Sequence, residues 1–217
     1  MTGLSSPITG ILEVMGTLPT TDRGRLTRER IVAAATEVVA EKGALGASLD
    51  EVGARAPASR SQLYHYFDGK SDLLLAVAEA TNDAVLDGQQ DLFDHLDTWD
   101  GFVRWADALV ALQEERGGIG GCPIANLLGQ LGERDDAIRT ALASGFDRWE
   151  ADIRIGLAAM VDSGELRPEA DAAWLASSTL ASIQGGLVLS QARRDPMALR
   201  RALDGALALI SSYRPPS

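Results

Sequence analysis

Apolar residues recur every three or four positions through most of this chain, which is the spacing of one face of an α-helix. The longest run of this kind, 135–161, carries Ile138, Leu142, Phe146, Trp149, Ile153, Leu157 and Met160. The same spacing, together with helix start and stop signals, predicts further helices at 27–42, 48–56, 60–66, 98–115, 123–131, 171–193 and 196–212. One more helix is predicted to start at about 68–70. No strand-like alternation is sustained, so the pattern predicts an all-α fold of about nine helices.

Two helix starts lie close together between Ala47 and Lys70. Ser48 precedes Glu51 by three residues, and the same spacing separates Ser59 from Gln62. This is the spacing of a capping box, in which the two side chains satisfy each other's backbone N–H groups. Between the two boxes lies a proline, which ends a helix because it has no N–H to donate. The stretch therefore predicts two short helices joined by a tight turn.

The second of these helices, 60–66, is unusually polar. Ala58, Leu63 and Phe67 can anchor one side of it. The remaining positions carry donors, hydroxyls and aromatic rings, namely Arg60, Ser61, Gln62, Tyr64, His65 and Tyr66. Such a helix suits the major groove of DNA. An ordinary pair of surface helices is the alternative, and the agreement of two caps, a breaker and a polar helix disfavours it.

The segment 59–70, SRSQLYHYFDGK, resembles the recognition-helix signature of the TetR family of bacterial repressors, most specifically in the spacing of Leu63, Tyr64, Phe67 and Lys70. The resemblance extends over nearly the whole chain. It implies an N-terminal tail at 1–22, a three-helix helix-turn-helix DNA-binding domain at 23–70, and a helical ligand-binding and dimerisation domain at 71–217. The helix that starts near 68–70 would connect the two domains.

One residue departs from the family pattern. Pro57 stands where the family usually has glycine in the turn. Because the proline ring does not favour the positive φ that glycine permits, we expect the turn to be rebuilt locally.

The resemblance also implies contacts with a double-stranded DNA operator. Arg60 and Gln62 are predicted to read base edges, since arginine suits guanine and glutamine suits adenine. Tyr64, Lys70 and Thr27, the expected N-cap of the first helix, are predicted to contact phosphates. The full predicted DNA-binding set is Thr27, Arg28, Ser48, Ser59, Arg60, Ser61, Gln62, Tyr64, His65, Tyr66 and Lys70.

Charge is distributed in agreement with a DNA-facing N-terminal block, although the chain as a whole has a formal net charge of −11. Residues 23–70 hold eight Lys and Arg against six Asp and Glu, whereas residues 71–217 hold 12 against 23. The acidic part would discourage non-specific DNA binding.

Cysteine and histidine are too few for a disulfide or a zinc site. Cys122 is the only cysteine, so a reducing cytoplasm is the expected location. The two histidines, His65 and His95, are far apart in sequence, and we expect no metal and no cofactor. No run reaches the roughly 18 apolar residues of a membrane span, and residues 1–22 do not have the features of a signal peptide. These residues are either a tail or part of an over-long gene start, with Met15 as the true initiator.

A second and less specific resemblance lies in the C-terminal part. The segment GGCPIANL at 120–127, followed by Phe146, Trp149 and IQGG at 183–186, is similar to the C-terminal domain of the LmrA/YxaF-like branch of the family. Members of that branch control drug-efflux or aromatic-degradation genes and respond to lincomycin-like drugs or flavonoids. The resemblance implies a small hydrophobic or aromatic effector. The predicted ligand-binding residues are Trp105, Leu109, Gln113, Cys122, Asn126, Leu128, Phe146, Trp149, Ile183 and Gln184.

The last two helices are predicted to form half of a four-helix dimer interface. The helix at 171–193 is rich in small residues, and the helix at 196–212 has one apolar stripe. The alternative is that both helices pack inside one subunit. The predicted interface residues are Trp174, Ser178, Ala181, Gly185, Val188, Leu199, Leu203, Ala206 and Ile210.

Together these features predict a homodimeric repressor that a small molecule releases from a palindromic operator. The main alternative is a DNA-binding regulator with no small-molecule effector. An enzyme is disfavoured, because Cys122 has no histidine near it in sequence and the glycine-rich loop 116–121 has no lysine after it and no strand before it. The sequence does not identify the effector, the operator or the regulated genes, and it does not separate repression from activation.

Overall fold

The computed structural model describes residues 21–216 and has ten α-helices in that range. They are α1 (Asp22–Gly46), α2 (Leu49–Arg55), α3 (Arg60–Tyr66), α4 (Lys70–Asp87), α5 (Gln90–Phe93), α6 (Trp99–Glu115), α7 (Pro123–Leu131), α8 (Asp136–Asp162), α9 (Ala172–Arg193) and α10 (Met197–Ser211). The predicted all-α fold is confirmed. The additional helix is α5, whose four residues are too few to show a helical period in the sequence.

The chain divides between Ala80 and Thr81 into two compact units, which we call the N-terminal unit and the C-terminal unit. The boundary falls inside α4 rather than at the predicted position after Lys70. Along the chain, α4 therefore begins in the first unit and ends in the second.

The first helix of the N-terminal unit begins earlier than predicted. Thr21 is its N-cap, and the Thr21 hydroxyl accepts a hydrogen bond of 3.2 Å from the N–H of the third residue after it. Thr27 is not the cap, because it lies inside α1 and donates its hydroxyl to the carbonyl of the fourth residue before it. The predicted tail 1–22 lies outside the described residues except for its last two positions. Helical geometry breaks at Gly43, directly after the predicted helix end at residue 42, where φ is 75°.

Helix α3 is held in the N-terminal unit by its apolar side. Leu63 and the C-cap Phe67 are each 2% exposed, and they share the core with Val52 of α2 and with Ile31 and Val38 of α1. The anchoring predicted for Leu63 and Phe67 is therefore confirmed. The polar side of α3 faces solvent as a result.

The turn between α2 and α3 was not rebuilt in the way we expected. Pro57 has a φ of 26°, on the positive side that glycine would take. The proline ring favours a φ near −65°, so this residue holds the turn in a strained conformation. Pro57 therefore takes a φ of the sign that glycine favours, at the cost of local strain.

The C-terminal unit is organised around α8, the longest helix. Both α7 and α9 pack on α8, and α10 packs on α9 and α6. The approach of α10 to α9 is close at Gly186, where a Cβ atom would lie 2.9 Å from the Cα atom of Leu199. Glycine is therefore required at this crossing.

Helix α9 is the one helix among residues 21–216 that is long and apolar enough to cross a membrane, with a mean hydropathy of 1.3. It contains no uninterrupted run of about 18 apolar residues, the feature on which the prediction of no membrane span rests. Only 33% of its apolar window is buried in this chain, and it nonetheless packs on α8 and α10. Such a composition also fits a helix that lies partly in a protein core and partly in an interface.

Candidate nucleic-acid interface and effector site

The solvent face of α3 presents most of the side chains predicted to read DNA. Arg60, Ser61, Gln62 and His65 are exposed, Tyr64 is 50% exposed, and Tyr66 is half-buried with its ring edge-to-face against His65. A short helix with donors on its open side and apolar residues beneath has the form of a major-groove reader. The individual base and phosphate contacts stay predictions.

The start of α3 is fixed by Ser59 and Gln62. The Gln62 N–H donates to the Ser59 hydroxyl at 3.2 Å, and the Ser59 N–H donates to the Gln62 side-chain oxygen at 2.9 Å. The predicted capping box is therefore confirmed. It also occupies one of the two polar atoms with which Gln62 was expected to contact a base.

Two carboxylates of the N-terminal unit, those of Glu41 and Glu51, are paired with nearby cations. Arg55 donates two hydrogen bonds, of 2.7 and 2.8 Å, to the carboxylate of Glu41. These bonds hold the pKa of Glu41 below its usual value and raise the pKa of Arg55. A hydrogen bond from Lys42, followed by one from the Ser48 hydroxyl, lowers the pKa of Glu51. Arg60 is less restrained, since its Nε atom lies 3.9 Å from the Asp50 carboxylate and its side chain is 70% exposed.

The other predicted DNA contacts have structural roles of their own. Arg28 lies over the Phe67 ring, with its guanidinium carbon 5.2 Å from the ring centre. Ser48 caps α2, and the ammonium group of Lys70 donates to the Leu45 carbonyl at 2.9 Å. These bonds hold Ser48 and Lys70 close to the helix starts, where backbone N–H groups favour phosphate.

The predicted ligand-binding residues of the C-terminal unit differ widely in burial. Trp105 and Ile183 are fully buried, Gln113 and Trp149 are each 2% exposed, and Cys122 is 5% exposed. The remaining members, which are half-buried, are Leu109, Asn126, Leu128, Phe146 and Gln184.

Trp105 belongs to the packed core of this unit. Its ring lies edge-to-face with Phe102, at 5.3 Å between centroids, and 6.0 Å from Phe93. Its indole N–H donates to the side-chain oxygen of Gln89 at 3.0 Å. Because its indole N–H already has an acceptor, Trp105 has no free polar atom with which to bind a ligand.

Three other predicted residues have buried polar atoms that remain unpaired. The Trp149 indole N–H, the Gln113 amide nitrogen and both amide atoms of Gln184 find no hydrogen-bond partner within residues 21–216. Cys122 lies beside Gln184, and burial is the main cause that raises the pKa of its thiol. Buried polar atoms are nearly always bonded in proteins, so each exception here is a candidate contact for a ligand or for water.

The sequence reading missed two polar residues of this unit, Asn82 and Gln89. Asn82 is 2% exposed, and its amide nitrogen donates to the Ala141 carbonyl at 2.7 Å. Its side-chain oxygen has no partner among the described residues. A sequence signal was available, because Asn82 interrupts the apolar stripe of the helix that follows Lys70.

The predicted dimer residues fall into two groups. Those of α9 lie on its open side: Val188 is 56% exposed, Trp174 is 50% exposed, Ala181 and Gly185 are exposed, and Ser178 is half-buried. Those of α10 were wrongly assigned to a surface, because all four are nearly or fully buried inside this chain, namely Leu199, Leu203, Ala206 and Ile210. Their stripe packs against α9 and α6.

Each unit has an open depression on its described surface. The first, about 220 Å³, lies in the C-terminal unit and is lined by Phe93, Asp94, Asp97, Asp152 and Ile155 among others. Burial, and then the charge of Asp94, raises the pKa of Asp152. The second, about 190 Å³, lies between α2 and α3. Neither contains a predicted ligand-binding residue. Within residues 21–216, no group of three or more His, Cys, Asp or Glu residues could hold a metal ion.

Two families of sequences match this chain in separate parts. Residues 31–77 match the family described as bacterial regulatory proteins, tetR family, and residues 101–206 match the family described as tetracyclin repressor-like, C-terminal domain. The two matches together span more than two thirds of the chain.

Individual relatives agree with these matches. An uncharacterized HTH-type transcriptional regulator in the lacX 3' region of Lactococcus lactis is 26% identical over 83% of this chain and 91% of its own length. The HTH-type transcriptional repressor DhaR of Mycobacterium sp. (strain GP1) is 23% identical over 88% of this chain and 93% of its own length. A TetR-family regulator from Cytophaga hutchinsonii has the same fold, with a TM-score of 0.79 and 18% identity over 92% of this chain and all of that one.

The sequence matches indicate a transcriptional regulator rather than an enzyme. The fold agrees with them in having a helix-turn-helix unit followed by a helical C-terminal unit. The chain belongs to the TetR family of helix-turn-helix transcriptional regulators.

Proposed function

We propose that this chain is a homodimeric repressor of the bacterial cytoplasm that leaves a palindromic operator when a small, largely apolar effector binds its C-terminal unit. The observation that carries the proposal is the open face of α3. Its donors point away from an apolar anchor, and a closed capping box fixes the start of the helix. One such helix from each protomer would enter successive major grooves.

Sequence preference is assigned to the first turn of α3. Arg60 is exposed and only weakly restrained by Asp50, so its guanidinium can turn toward a guanine edge. Gln62 keeps its amide NH₂ group for a base while its oxygen closes the cap. Thr27, Arg28, Ser48, Tyr64 and Lys70 would contact phosphates, which sets affinity rather than preference.

Effector binding is assigned to the interior of the C-terminal unit. The buried, unpaired polar atoms of Gln113, Trp149 and Gln184 support this, and so does the likeness of segment 120–127 to the LmrA/YxaF-like branch. Helix α4 would transmit the response, since it starts at Lys70 and continues into this unit. An effector can act in this way only if it binds the non-DNA-binding arrangement more tightly.

Dimerisation is assigned to the open side of α9 and the adjoining side of α10. Ala181, Gly185 and Val188 lie on α9, while Gly205 and Ala208 lie on exposed positions of α10. Small residues let two helices approach closely, and an exposed apolar face of this kind is typical of an interface. This face replaces the buried α10 stripe that the sequence had suggested.

A regulator without a small-molecule effector is the second candidate. The close packing of the predicted ligand-binding residues favours it, because Trp105 and Ile183 are fully buried and Trp149 is nearly so. A protein partner would then control DNA binding.

The proposal is tested by selecting DNA from a random pool with the full-length protein and measuring affinity for the selected site. We expect a palindrome, and we expect Arg60→Ala to lower affinity by about 1–3 kcal/mol and to relax preference at one base position in each half-site. Arg139→Ala is the matched control, because Arg139 is an exposed arginine of α8 paired with Asp136. Selection of no sequence, or equal loss from both variants, would contradict the proposal.

A further inference from the structure

Two polar atoms near one turn of α8 are buried without a partner. The side-chain oxygen of Asn82 accepts no hydrogen bond from the described residues, although the amide nitrogen of the same group donates to Ala141. The Trp149 indole N–H likewise donates to no group in the described range. Both residues are 2% exposed, so bulk solvent does not satisfy these atoms.

Gly145 brings the two residues to the same part of the helix. A Cβ atom at Gly145 would collide with the Asn82 side chain, so glycine is what lets that amide reach α8. Trp149 lies one turn farther along the same buried face of α8. Side chains on a helix lean toward its N-terminus, which favours a Trp149 indole that extends back toward the turn that contains Gly145. We therefore expect the acceptor and the donor to lie near the same turn.

The chemistry of these two atoms selects the group that can join them. Such a group must donate to the Asn82 oxygen and accept from the Trp149 N–H, and a hydroxyl does both through one oxygen atom. An ether or a carboxylate only accepts, and an ammonium group only donates.

Charged ligands are disfavoured by the two residues themselves. Asn82 and Trp149 are both uncharged and both 2% exposed, so neither supplies a counter-charge to an ionised group buried between them.

The same unit shows what a direct pairing of these two groups looks like. The Trp105 indole N–H donates to the Gln89 side-chain oxygen at 3.0 Å. Asn82 and Trp149 present the same donor and acceptor types and do not bond to each other. Both atoms of the second pair are therefore left for a ligand or for water to satisfy.

We propose that Asn82 and Trp149 bind the hydroxyl group of an uncharged, largely apolar molecule beside Gly145. The proposal rests on the effector-responsive function proposed above and adds the chemical class of the effector. Because Asn82 lies on α4, the bound hydroxyl would contact the helix that starts at Lys70.

Phenol and toluene test the proposal, because they have nearly the same shape and phenol carries a hydroxyl where toluene carries a methyl group. Their dissociation constants are measured by titration calorimetry on the full-length protein without DNA. We expect phenol to bind about tenfold more tightly than toluene, the effect of one net hydrogen-bonded group. Trp149→Phe keeps an aromatic ring and removes the N–H, so it should bring the ratio close to one. Asn82→Ala should lower the ratio as well.

Trp99→Phe is the matched control, since Trp99 is a half-buried tryptophan of α6 that lies against Arg214. It should leave the ratio of the two dissociation constants unchanged. Equal binding of phenol and toluene, a phenol preference that survives in both Trp149→Phe and Asn82→Ala, or no binding of phenol would each overturn the proposal. Operator affinity, measured without either compound, tests the proposed function separately. A protein that binds no operator could still prefer phenol to toluene, so the two proposals can fail independently.

Discussion

The side-chain oxygen of Gln62 accepts a hydrogen bond from the backbone N–H of Ser59 at 2.9 Å. The residue proposed to read a base is therefore also the residue that closes the capping box of α3. While the capping box is closed, the amide NH₂ group is the only polar group of the Gln62 side chain that is free to hydrogen-bond to DNA. A two-bond contact with adenine needs the oxygen as well, so the oxygen must be shared or the cap must open.

Gln62→Glu and Gln62→Ala separate capping from base reading. Glutamate still accepts from the Ser59 N–H but has no donor for a base, so we expect normal stability and a lost base preference. Alanine loses both functions and should also lower the free energy of unfolding by about 1 kcal/mol. Urea unfolding and repeated operator selection measure the two effects. A Gln62→Glu protein that selects the wild-type base would exclude Gln62 from base reading.

Pro57→Gly should stabilise the N-terminal unit. The φ of 26° at Pro57 is strained for proline and unstrained for glycine. Relief of this strain should exceed the entropy that glycine adds to the unfolded chain, with a net gain of about 1 kcal/mol. Thermal melting measures the gain, and operator preference should not change because the turn keeps its shape.

Pro196→Gly is the control for that substitution. Pro196 is the N-cap of α10 and has a φ of −63°, which suits the proline ring. Its replacement by glycine should lower the free energy of unfolding by about 0.4–1 kcal/mol, because glycine raises the conformational entropy of the unfolded chain. If both glycine variants melt lower than the wild-type protein, Pro57 is not strained.

Local signals predicted the helix boundaries well. Serine, threonine or aspartate caps at Ser48, Ser59, Thr98 and Asp135 start helices where the sequence indicated, because a cap depends on residues only two or three positions away. The predicted start of α1 was wrong, because Thr27 and Thr21 both have a hydroxyl that could cap a helix and nothing in the local sequence distinguishes them.

Long-range relationships were not available from the sequence. The apolar stripe of α10 has the same periodicity whether it faces its own subunit or a partner, so Leu199 and Leu203 were assigned to the wrong surface. The contact of Asn82 with Gly145 joins positions far apart in sequence, and only the fold brings them together. The fold class and helix-turn-helix unit could therefore be predicted, and so could several polar residues of the C-terminal unit, whereas the tertiary contacts among them could not.

Two buried tryptophans should lose different amounts of stability on replacement by phenylalanine. Both replacements remove buried volume, but Trp105→Phe also leaves the Gln89 side-chain oxygen buried without its donor, which should lower the free energy of unfolding by about a further 1–3 kcal/mol. Trp149→Phe removes a donor that has no partner among residues 21–216, so its loss of stability should be smaller than that of Trp105→Phe. Urea unfolding of ligand-free protein measures both. A loss of similar size in the two variants would show that Trp149 is bonded in solution.

Cys122 should be unreactive in the folded protein. Burial raises the pKa of its thiol above the ordinary value of 9.0, and the thiolate is the reactive form. Reaction with a disulfide reagent should therefore follow global unfolding. Because the unfolded thiol loses its proton first, stability should fall as the pH rises through 9 toward the folded pKa. Rapid labelling at pH 7 without denaturant would contradict the buried placement of this side chain.

Gly185→Glu should convert the proposed dimer into monomers that lose operator binding. Gly185 lies on the open side of α9 and has no atom within 4 Å of the position of a Cβ atom, so the folded protomer can accept the new side chain. A glutamate facing its symmetry mate would bury two like charges in the interface. Gly129→Glu is the matched control, because Gly129 is an exposed glycine of α7 with equally open space around it. Sedimentation of both variants, with melting curves to confirm folding, decides the result. A folded Gly185→Glu dimer with normal operator affinity would place the interface away from this face of α9.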